Sequence, residues 1–507
     1  MRGDEQLMSR DGITLWILRV GVILIAACLA LRTPLHSSLW LDETVTAWVA
    51  SASWSAAWQR AVTYQAQSPL YFMLFKAWPW RESSELLARL PSLFCGGFAA
   101  FGICLIAREI FGKGSGLFAL LFALTSSELV RVSIQARPYS LGMAGVVWSV
   151  LFLFWWIQTK RLQYLVAHFG AALLSFYSHY LFGLIGLVYP SVILLWGERS
   201  SWRRYVRGSL IALPCAFPGC YHLLMWRGKA HGALFTSLPT LGDLFAQMIP
   251  ATFLVYLIGA LIVAFAFTRE AVLLPHRRVI VLSLVWVVGG CVVLFGVSRF
   301  SGVPLFVGRY LSWRFGGFVI GAMVLASLFR DKAGQRAFFV TYLFLAIQHS
   351  AEQKWKIEDW FSAARRVNEL HGVPVILYSG LRESEQLAVN ASLEFRDYLA
   401  APLSVYGVDP KRIVVMPGDP TASGTSEYGE SAIARLQATG EKFLLVVNDQ
   451  PIVLGERGLV RPGERMRQFL ESHEVSCDGF DSEVGLSGEE LVKSFSCAFS
   501  RAHQQGR

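Results

Sequence analysis

Acidic side chains are scarce through the first two thirds of this sequence. Between Ile13 and Ser350 there are 10 Asp or Glu against 27 Lys or Arg. Several catalytic signatures are also missing. No HExxH, GxSxG or Walker P-loop occurs, which argues against metalloproteases, serine hydrolases and P-loop nucleotidases. Gly112-Lys-Gly114-Ser-Gly116 has the look of a phosphate loop, but it follows a long apolar run rather than a strand and reads as a plain turn. No Cys and His spacing suits structural zinc. There is no tandem repeat and no long low-complexity run. What fills the space is apolar: 54% of the 507 residues are hydrophobic, which indicates a polytopic membrane protein. The formal charge of +10 divides unevenly. Residues 351–507 hold 17 basic and 23 acidic residues, so the positive balance belongs to membrane loops, and nucleic acid is not an expected partner.

A spanning helix needs roughly 20 apolar residues. Eleven segments approach this: 13–31, 86–107, 116–130, 139–158, 163–178, 180–196, 207–226, 250–268, 279–298, 310–329 and 336–350. The first carries no convincing small-residue cleavage site and reads as an anchor. Basic clusters at Arg108–Lys113, Lys160-Arg161, Arg199–Arg207, Arg269–Arg278 and Arg330–Arg336 mark every second connection as cytoplasmic. Residues 1–350 then form a membrane domain with a large first outer loop, 32–85. Its stretches 44–58 and 69–80 are amphipathic and too short to span, with Trp78 and Trp80 at headgroup depth. Residues 351–507 alternate helical and strand patterns and predict a small extracytoplasmic α/β domain. Its carboxylates read as a solvated face. Cys477 and Cys497 are there either a disulfide or two buried thiols.

Against this background the adjacent carboxylates of Trp40-Leu41-Asp42-Glu43 stand out, just outside the bilayer. They read either as a general base or substrate anchor, or as an N-terminal cap for a helix beginning at Thr44. On the same face fall Gln67-Ser-Pro-Leu-Tyr71, Ala88-Arg89-Leu-Pro-Ser92, Gln135-Ala-Arg137-Pro-Tyr139, Ser178-His179-Tyr180 and Arg309-Tyr310, with Arg131, Arg299 and Arg314 nearby. Each is weak alone, since a snorkelling arginine or a structural histidine is common. Together, arginines around a carboxylate at headgroup level suit a lipid-linked phosphate. The guanidinium groups would neutralise the departing phosphate, and the carboxylate would take a proton from an acceptor hydroxyl or amine. A transporter or flippase for a lipid-linked sugar is the alternative; against it, the charges gather at one face and no repeated halves with broken midplane helices are evident.

This ordered set of motifs resembles the GT-C glycosyltransferases over roughly residues 13–350. The nearest branch holds the protein O-mannosyltransferases, the lipid A aminoarabinose transferases and the bacterial Rgt-type lipopolysaccharide sugar transferases. The tail, through Ile357-Glu-Asp-Trp360 and Tyr398-Leu-Ala-Ala-Pro402, resembles the small extracytoplasmic domain of some bacterial members. The resemblance implies a polyprenyl-phosphate sugar donor, an acceptor (lipid, glycan or protein) entering from the outer side, and transfer with inversion, in a bacterial inner membrane. By position it implies Asp42 as the base with Glu43 beside it. Arg89, Arg137 and Arg309 would face donor phosphate, with Gln67, Tyr71, Tyr139, His179 and Tyr310 as further substrate contacts. Where the family often has His, this chain has Gln67. No cofactor is specified by the sequence. A divalent metal among Asp42, Glu43, His36, His179 and His231 is left open by their spacing.

Overall fold

The computed structural model describes residues 33–65, 67–80, 84–227, 237–268, 277–329, 331–352, 358–390, 392–422, 424–439, 442–453, 459–479 and 491–499. The expected anchor 13–31, the basic residues Arg269 and Arg330, and His231 lie outside the described residues. Ahead of the first long helix, two short helices, α1 (Leu41–Ser51) and α2 (Trp54–Tyr64), precede α3 (Leu70–Ala77). The membrane helices follow: α4 (Glu85–Phe111), α5 (Gly116–Leu124), α6 (Ser127–Ser133), α7 (Tyr139–Thr159), α8 (Leu162–Ser178), α9 (Val188–Trp196) and α10 (Arg199–Arg227). Then come α11 (Leu241–Met248), α12 (Ala251–Phe267), α13 (Arg277–Ser301), α14 (Phe315–Ala326) and α15 (Lys332–Glu352).

Among the described residues, α4, α7, α10 and α13 are long and apolar enough to cross a membrane, so the chain is an integral membrane protein. Two further pairs qualify as bent spans, α5 with α6 (63°) and α11 with α12 (43°). The segment expected as one span over 116–130 is therefore broken. Thr125 and Ser126 interrupt it, and the Thr125 hydroxyl donates back to the Leu121 carbonyl, which offers the chain an alternative to continuing the helix. The span expected to start at 310 opens instead as a 3₁₀ turn, Gly308–Arg314, that leads into α14.

Helices α7 and α8 approach closely because Gly145 has no side chain. A Cβ there would lie 2.8 Å from the Ser175 nitrogen and 2.9 Å from the Ala171 carbonyl. In α4, Pro91 cannot donate to the Leu87 carbonyl. The Trp78 indole N–H takes that carbonyl instead, at 2.9 Å, and so ties the end of α3 to the first turns of α4. The expected pair of amphipathic outer stretches thus becomes three short helices, and α3 is secured to the membrane core.

The tail is an α/β layer. Strands β1 (Val375–Tyr378), β2 (Ile413–Val415), β3 (Lys442–Asn448), β6 (Val475–Cys477) and β7 (Val492–Phe499) form a sheet of order β2-β1-β3-β7-β6. β1 pairs in parallel with β2 and β3, while β7 runs antiparallel to β3 and β6. Helices α16 (Trp360–Glu369), α17 (Leu393–Leu399), α18 (Ala401–Ser404), α19 (Ser426–Thr439) and α20 (Pro462–Ser472) cover it. The small hairpin β4 (Ile452–Val453) with β5 (Leu459–Val460), and the strand β6, carry too few residues for a period-2 signal.

Cys477 and Cys497 are bonded across β6 and β7, where they are direct register partners. Their 20-residue separation puts the loop-closure contribution at about 3 kcal/mol. Paired Cys477→Ser and Cys497→Ser changes are expected to lower the tail's melting transition. A reductant should move the wild-type transition to the same point, as read by differential scanning fluorimetry. An unchanged transition in both cases would show that the bridge adds nothing to stability.

One hydrophobic cluster joins the two parts of the molecule. Val45, Trp48, Val49, Ala61 and Phe72 of the three short helices pack with Trp360, Phe395, Tyr398, Leu399 and Leu403 of the tail. Trp48 lies against Tyr398 with ring centres 5.5 Å apart, and Tyr64 stacks on Tyr398 at 5.0 Å. The tail is thus docked on α1 and α2 directly over the carboxylate pair.

Candidate active site

The first turn of α1 separates the two carboxylates. Successive helical residues point about 100° apart, so Asp42 and Glu43 cannot share one environment. Glu43 turns inward and is fully buried. Its Oε1 accepts from Arg89 Nε at 3.0 Å and from the Ala136 amide at 2.7 Å. Its Oε2 accepts from Arg89 Nη2 at 2.6 Å and from the Trp40 amide at 3.1 Å. The remaining Arg89 donors go to the carbonyls of Pro34, Leu35, Ser37 and Ser38. This corrects the expected roles of both residues. Arg89 is spent on Glu43 and four carbonyls, which leaves it no free donor for a phosphate in this arrangement. Glu43 is a saturated buried acceptor rather than a catalytic group. Together they fold residues 34–38 onto α4 and hold the motif in place.

Asp42 is differently placed. Its carboxylate makes no capping hydrogen bond to α1 among the described residues; Trp40 donates to Glu43, and Leu41 donates to Glu358 of the tail at 2.7 Å. Asp42 Oδ2 instead meets Arg309 Nη1 at 2.8 Å, with each side chain 24% exposed. Arg137 Nη1 donates to the Asp42 carbonyl at 3.1 Å and to Thr46 Oγ1 at 3.2 Å. Burial alone would raise the Asp42 carboxyl. Arg309 and then Arg137 outweigh it and hold the group below its ordinary value.

Around this pair the expected side chains assemble in part. His179 lies between Tyr139 and Tyr310, with ring centres 5.4 and 4.9 Å away, and the Arg309 guanidinium lies 5.5 Å from the Tyr310 ring. His179 Nδ1 and Arg137 Nε are buried without a hydrogen-bond partner among the described residues, an arrangement that wants a ligand. Tyr71 lies one step back. Its hydroxyl is 3.2 Å from Ser92 Oγ, which donates to the Arg137 carbonyl, so it supports Arg137 rather than reaching Asp42. Gln67 is buried, and no contact joins it to Asp42 among the described residues.

The wider arginine ring is smaller than expected. Arg314 is buried and donates to Glu128 Oε1 at 2.7 Å, to the Leu311 carbonyl at 2.9 Å, and to the carbonyl and side chain of Gln247. It is a brace between α6, α11 and the turn before α14. Arg299 is exposed at the end of α13. Arg131 borders a cavity of about 250 Å³ lined also by Glu128, Gln247, Tyr256 and His349. No group of three Cys, His, Asp or Glu is placed to hold a metal ion among the described residues.

Three residues of the tail approach this site, contrary to the reading of its carboxylates as solvated. Glu358 is buried beside Leu41. Glu383 and Tyr398 lie near each other and close enough to Asp42 to feel its charge. In the sequence only the placement of Glu358 two residues before Trp360 hinted at a buried acid; nothing marked Glu383.

Comparison with known proteins bears on the fold. Residues 73–222 match the family model of the dolichyl-phosphate-mannose-protein mannosyltransferases. No curated protein sequence matches the chain significantly. The fold is similar to that of ArnT from Cupriavidus metallidurans in two crystal structures. Against the form bound to undecaprenyl phosphate the TM-score is 0.52 at 12% identity, covering 95% of this chain and 98% of that one. Against the apo form it is 0.54 at 12% identity, covering 96% and 98%. The chain has the GT-C fold that its ordered motifs led one to expect.

Proposed function

We propose that this protein is a membrane glycosyltransferase that moves a sugar from a polyprenyl-phosphate donor to an acceptor on the extracytoplasmic face, with inversion. The observation that carries the reading is the Asp42–Arg309 pair at 2.8 Å, flanked by Arg137 and roofed by the tail. The bonded Cys477 and Cys497 suit an oxidising compartment for the tail, in a bacterial inner membrane.

In this reading Arg309 is a shared counter-ion. While it pairs with Asp42, the carboxylate is a poor base. A donor phosphate competes for the same guanidinium, and as Arg309 turns to it the carboxyl rises toward its ordinary value and can take the acceptor proton. The acceptor oxygen or nitrogen then forms the new bond to the anomeric carbon as the bond to the phosphate oxygen breaks. Arg309 and Arg137 stabilise the leaving phosphate. Basicity at Asp42 therefore depends on donor occupancy, which disfavours idle deprotonation.

Arg309→Ala is expected to raise the donor KM by about 10- to 100-fold, the loss of one charge-assisted contact. It should also move the acidic limb of the rate profile to higher pH, because the main group lowering the Asp42 carboxyl is gone. Unchanged donor affinity would remove Arg309 from the phosphate site. The overall reading is tested by mass spectrometry of the lipopolysaccharide, lipid and glycoprotein fractions of host cells with and without the protein. A sugar lost on deletion and restored by the wild type names donor and acceptor. Movement of a lipid-linked sugar across vesicles without a covalent product would instead establish the transporter.

A further inference from the structure

We propose that Glu358 of the C-terminal domain is a positioning residue for the Asp42 site, holding the first turn of α1 by accepting its leading amide. The inference deepens the proposed role of Asp42 and, in its kinetic arm, rests on it. Glu358 Oε2 accepts from the Leu41 N–H at 2.7 Å and from the Trp360 indole N–H at 3.0 Å, and the residue is 6% exposed. Leu41 adjoins Asp42 in the chain, so whatever fixes its amide fixes the direction in which the Asp42 side chain leaves the helix.

Glu358 does not act alone on this segment. The Tyr406 hydroxyl accepts from the Leu39 amide at 2.7 Å, and Ser38 Oγ accepts from the Phe361 amide at 3.0 Å. Residues 38–41 are therefore laced to the tail on one side, while Arg89 grips the carbonyls of Ser37 and Ser38 on the other. Of these contacts, only the one to Glu358 falls within α1. A helix N-terminus needs acceptors for its first amides. Side chains within the first turn are the usual source, yet here Glu43 serves only the Trp40 amide, and Asp42 is kept for Arg309. An acid more than 300 residues away fills the gap. The tail is then part of the catalytic apparatus and not an appended module.

The hydrogen-bond acceptor, rather than the charge, is what the position requires. Burial, with Asp42 and Glu43 nearby, pushes the Glu358 carboxyl up to about 7 against the opposing effect of the Trp360 and Leu41 donors. Ionised or neutral, the carboxyl oxygen accepts from Leu41, and so would the amide oxygen of glutamine.

The test compares Glu358→Ala with Glu358→Gln in the purified full-length chain, reading kcat, donor KM and hydrogen exchange at residues 39–46. Glu358→Ala is expected to lower kcat about 100-fold, the effect of a misplacement near 1 Å, with donor KM unchanged. It should also speed exchange of the Leu41 amide. Glu358→Gln should keep kcat within a few-fold of wild type and leave exchange slow. Should Glu358→Ala not accumulate, Glu358→Asp, which withdraws the acceptor by one methylene, is expected to show the same pattern. Wild-type kcat and exchange in the alanine or aspartate variant would overturn the proposal, as would equal loss in the alanine and glutamine variants. If the wild type transfers no sugar, the functional reading fails while the exchange comparison still decides the role of Glu358.

Discussion

Asp42→Asn is expected to lower transfer by about 10²- to 10⁴-fold, the span associated with removing a general base, while the melting temperature stays within about 1–2 °C of wild type. The combination is informative because most changes in the first turn of a helix that affect activity also affect the fold. Here the structural work of that turn is done by other groups. Glu43 accepts from the Trp40 amide and Glu358 from the Leu41 amide, so loss of the Asp42 charge leaves both terminal donors satisfied. The partner that Asp42 does engage, Arg309, forms a pair with it that is 24% exposed on each side, so losing it costs less than breaking a fully buried pair. An asparagine carbonyl can still accept from Arg309, so the site is not left with a bare guanidinium. Stopped-assay mass spectrometry of product, set beside differential scanning fluorimetry, checks both halves. Full activity in Asp42→Asn would place the base elsewhere. A large fall in melting temperature would mean that Asp42 is a structural group after all.

The contrast between the two adjacent carboxylates explains what could and could not be read from the chain. Long apolar runs and basic loops announced a membrane protein, and the alternating tail announced an α/β layer, because each depends on periodicity carried by many residues. Trp40-Leu41-Asp42-Glu43 announced a site because acids are scarce around it. The resemblance singled out Asp42 as the base, but the partners of the two acids could not be read, since Arg89 and Arg309 arrive from 46 and 267 residues away. Arg314 was expected on the same face as Arg309, though only Arg309 stood in a motif. Yet one side chain meets Asp42 and the other is consumed by Glu128 and Gln247, a difference made by the 3₁₀ turn between them. The break at Thr125 was hidden because both halves are apolar and only backbone geometry distinguishes a bent span from a straight one. Glu358, Glu383 and Tyr398 were missed for a related reason. An acid in a charged tail looks solvated until the docking of Trp360 and Tyr398 onto α1 and α2 takes it out of water.

Arg89→Ala is expected to have the opposite phenotype to Asp42→Asn: a fall in melting temperature of about 3–5 °C, or failure to accumulate folded protein, whatever the effect on the donor. Removing the guanidinium leaves the Glu43 carboxylate fully buried with two backbone donors, and strips the donor from the carbonyls of Pro34, Leu35, Ser37 and Ser38. Breaking one partner of a buried pair costs about 3–5 kcal/mol, chiefly because the other charge is stranded. Arg89→Lys should rescue little. A single ammonium with three donors cannot replace a planar fork that reaches two carboxylate oxygens and four carbonyls at once. Paired replacement, Glu43→Leu with Arg89→Met, should be milder than Arg89→Ala alone, since it removes both charges from the interior together. The double-mutant cycle would then show strong positive coupling, and the purified proteins' melting curves measure it directly. A wild-type melting temperature in Arg89→Ala, joined to weakened donor binding, would return Arg89 to the phosphate site that its place in the sequence first suggested. Strong coupling would establish instead that the acid–arginine pair most visible in the motif builds the platform, and that the less conspicuous pair beside it, Asp42 with Arg309, is left free for chemistry.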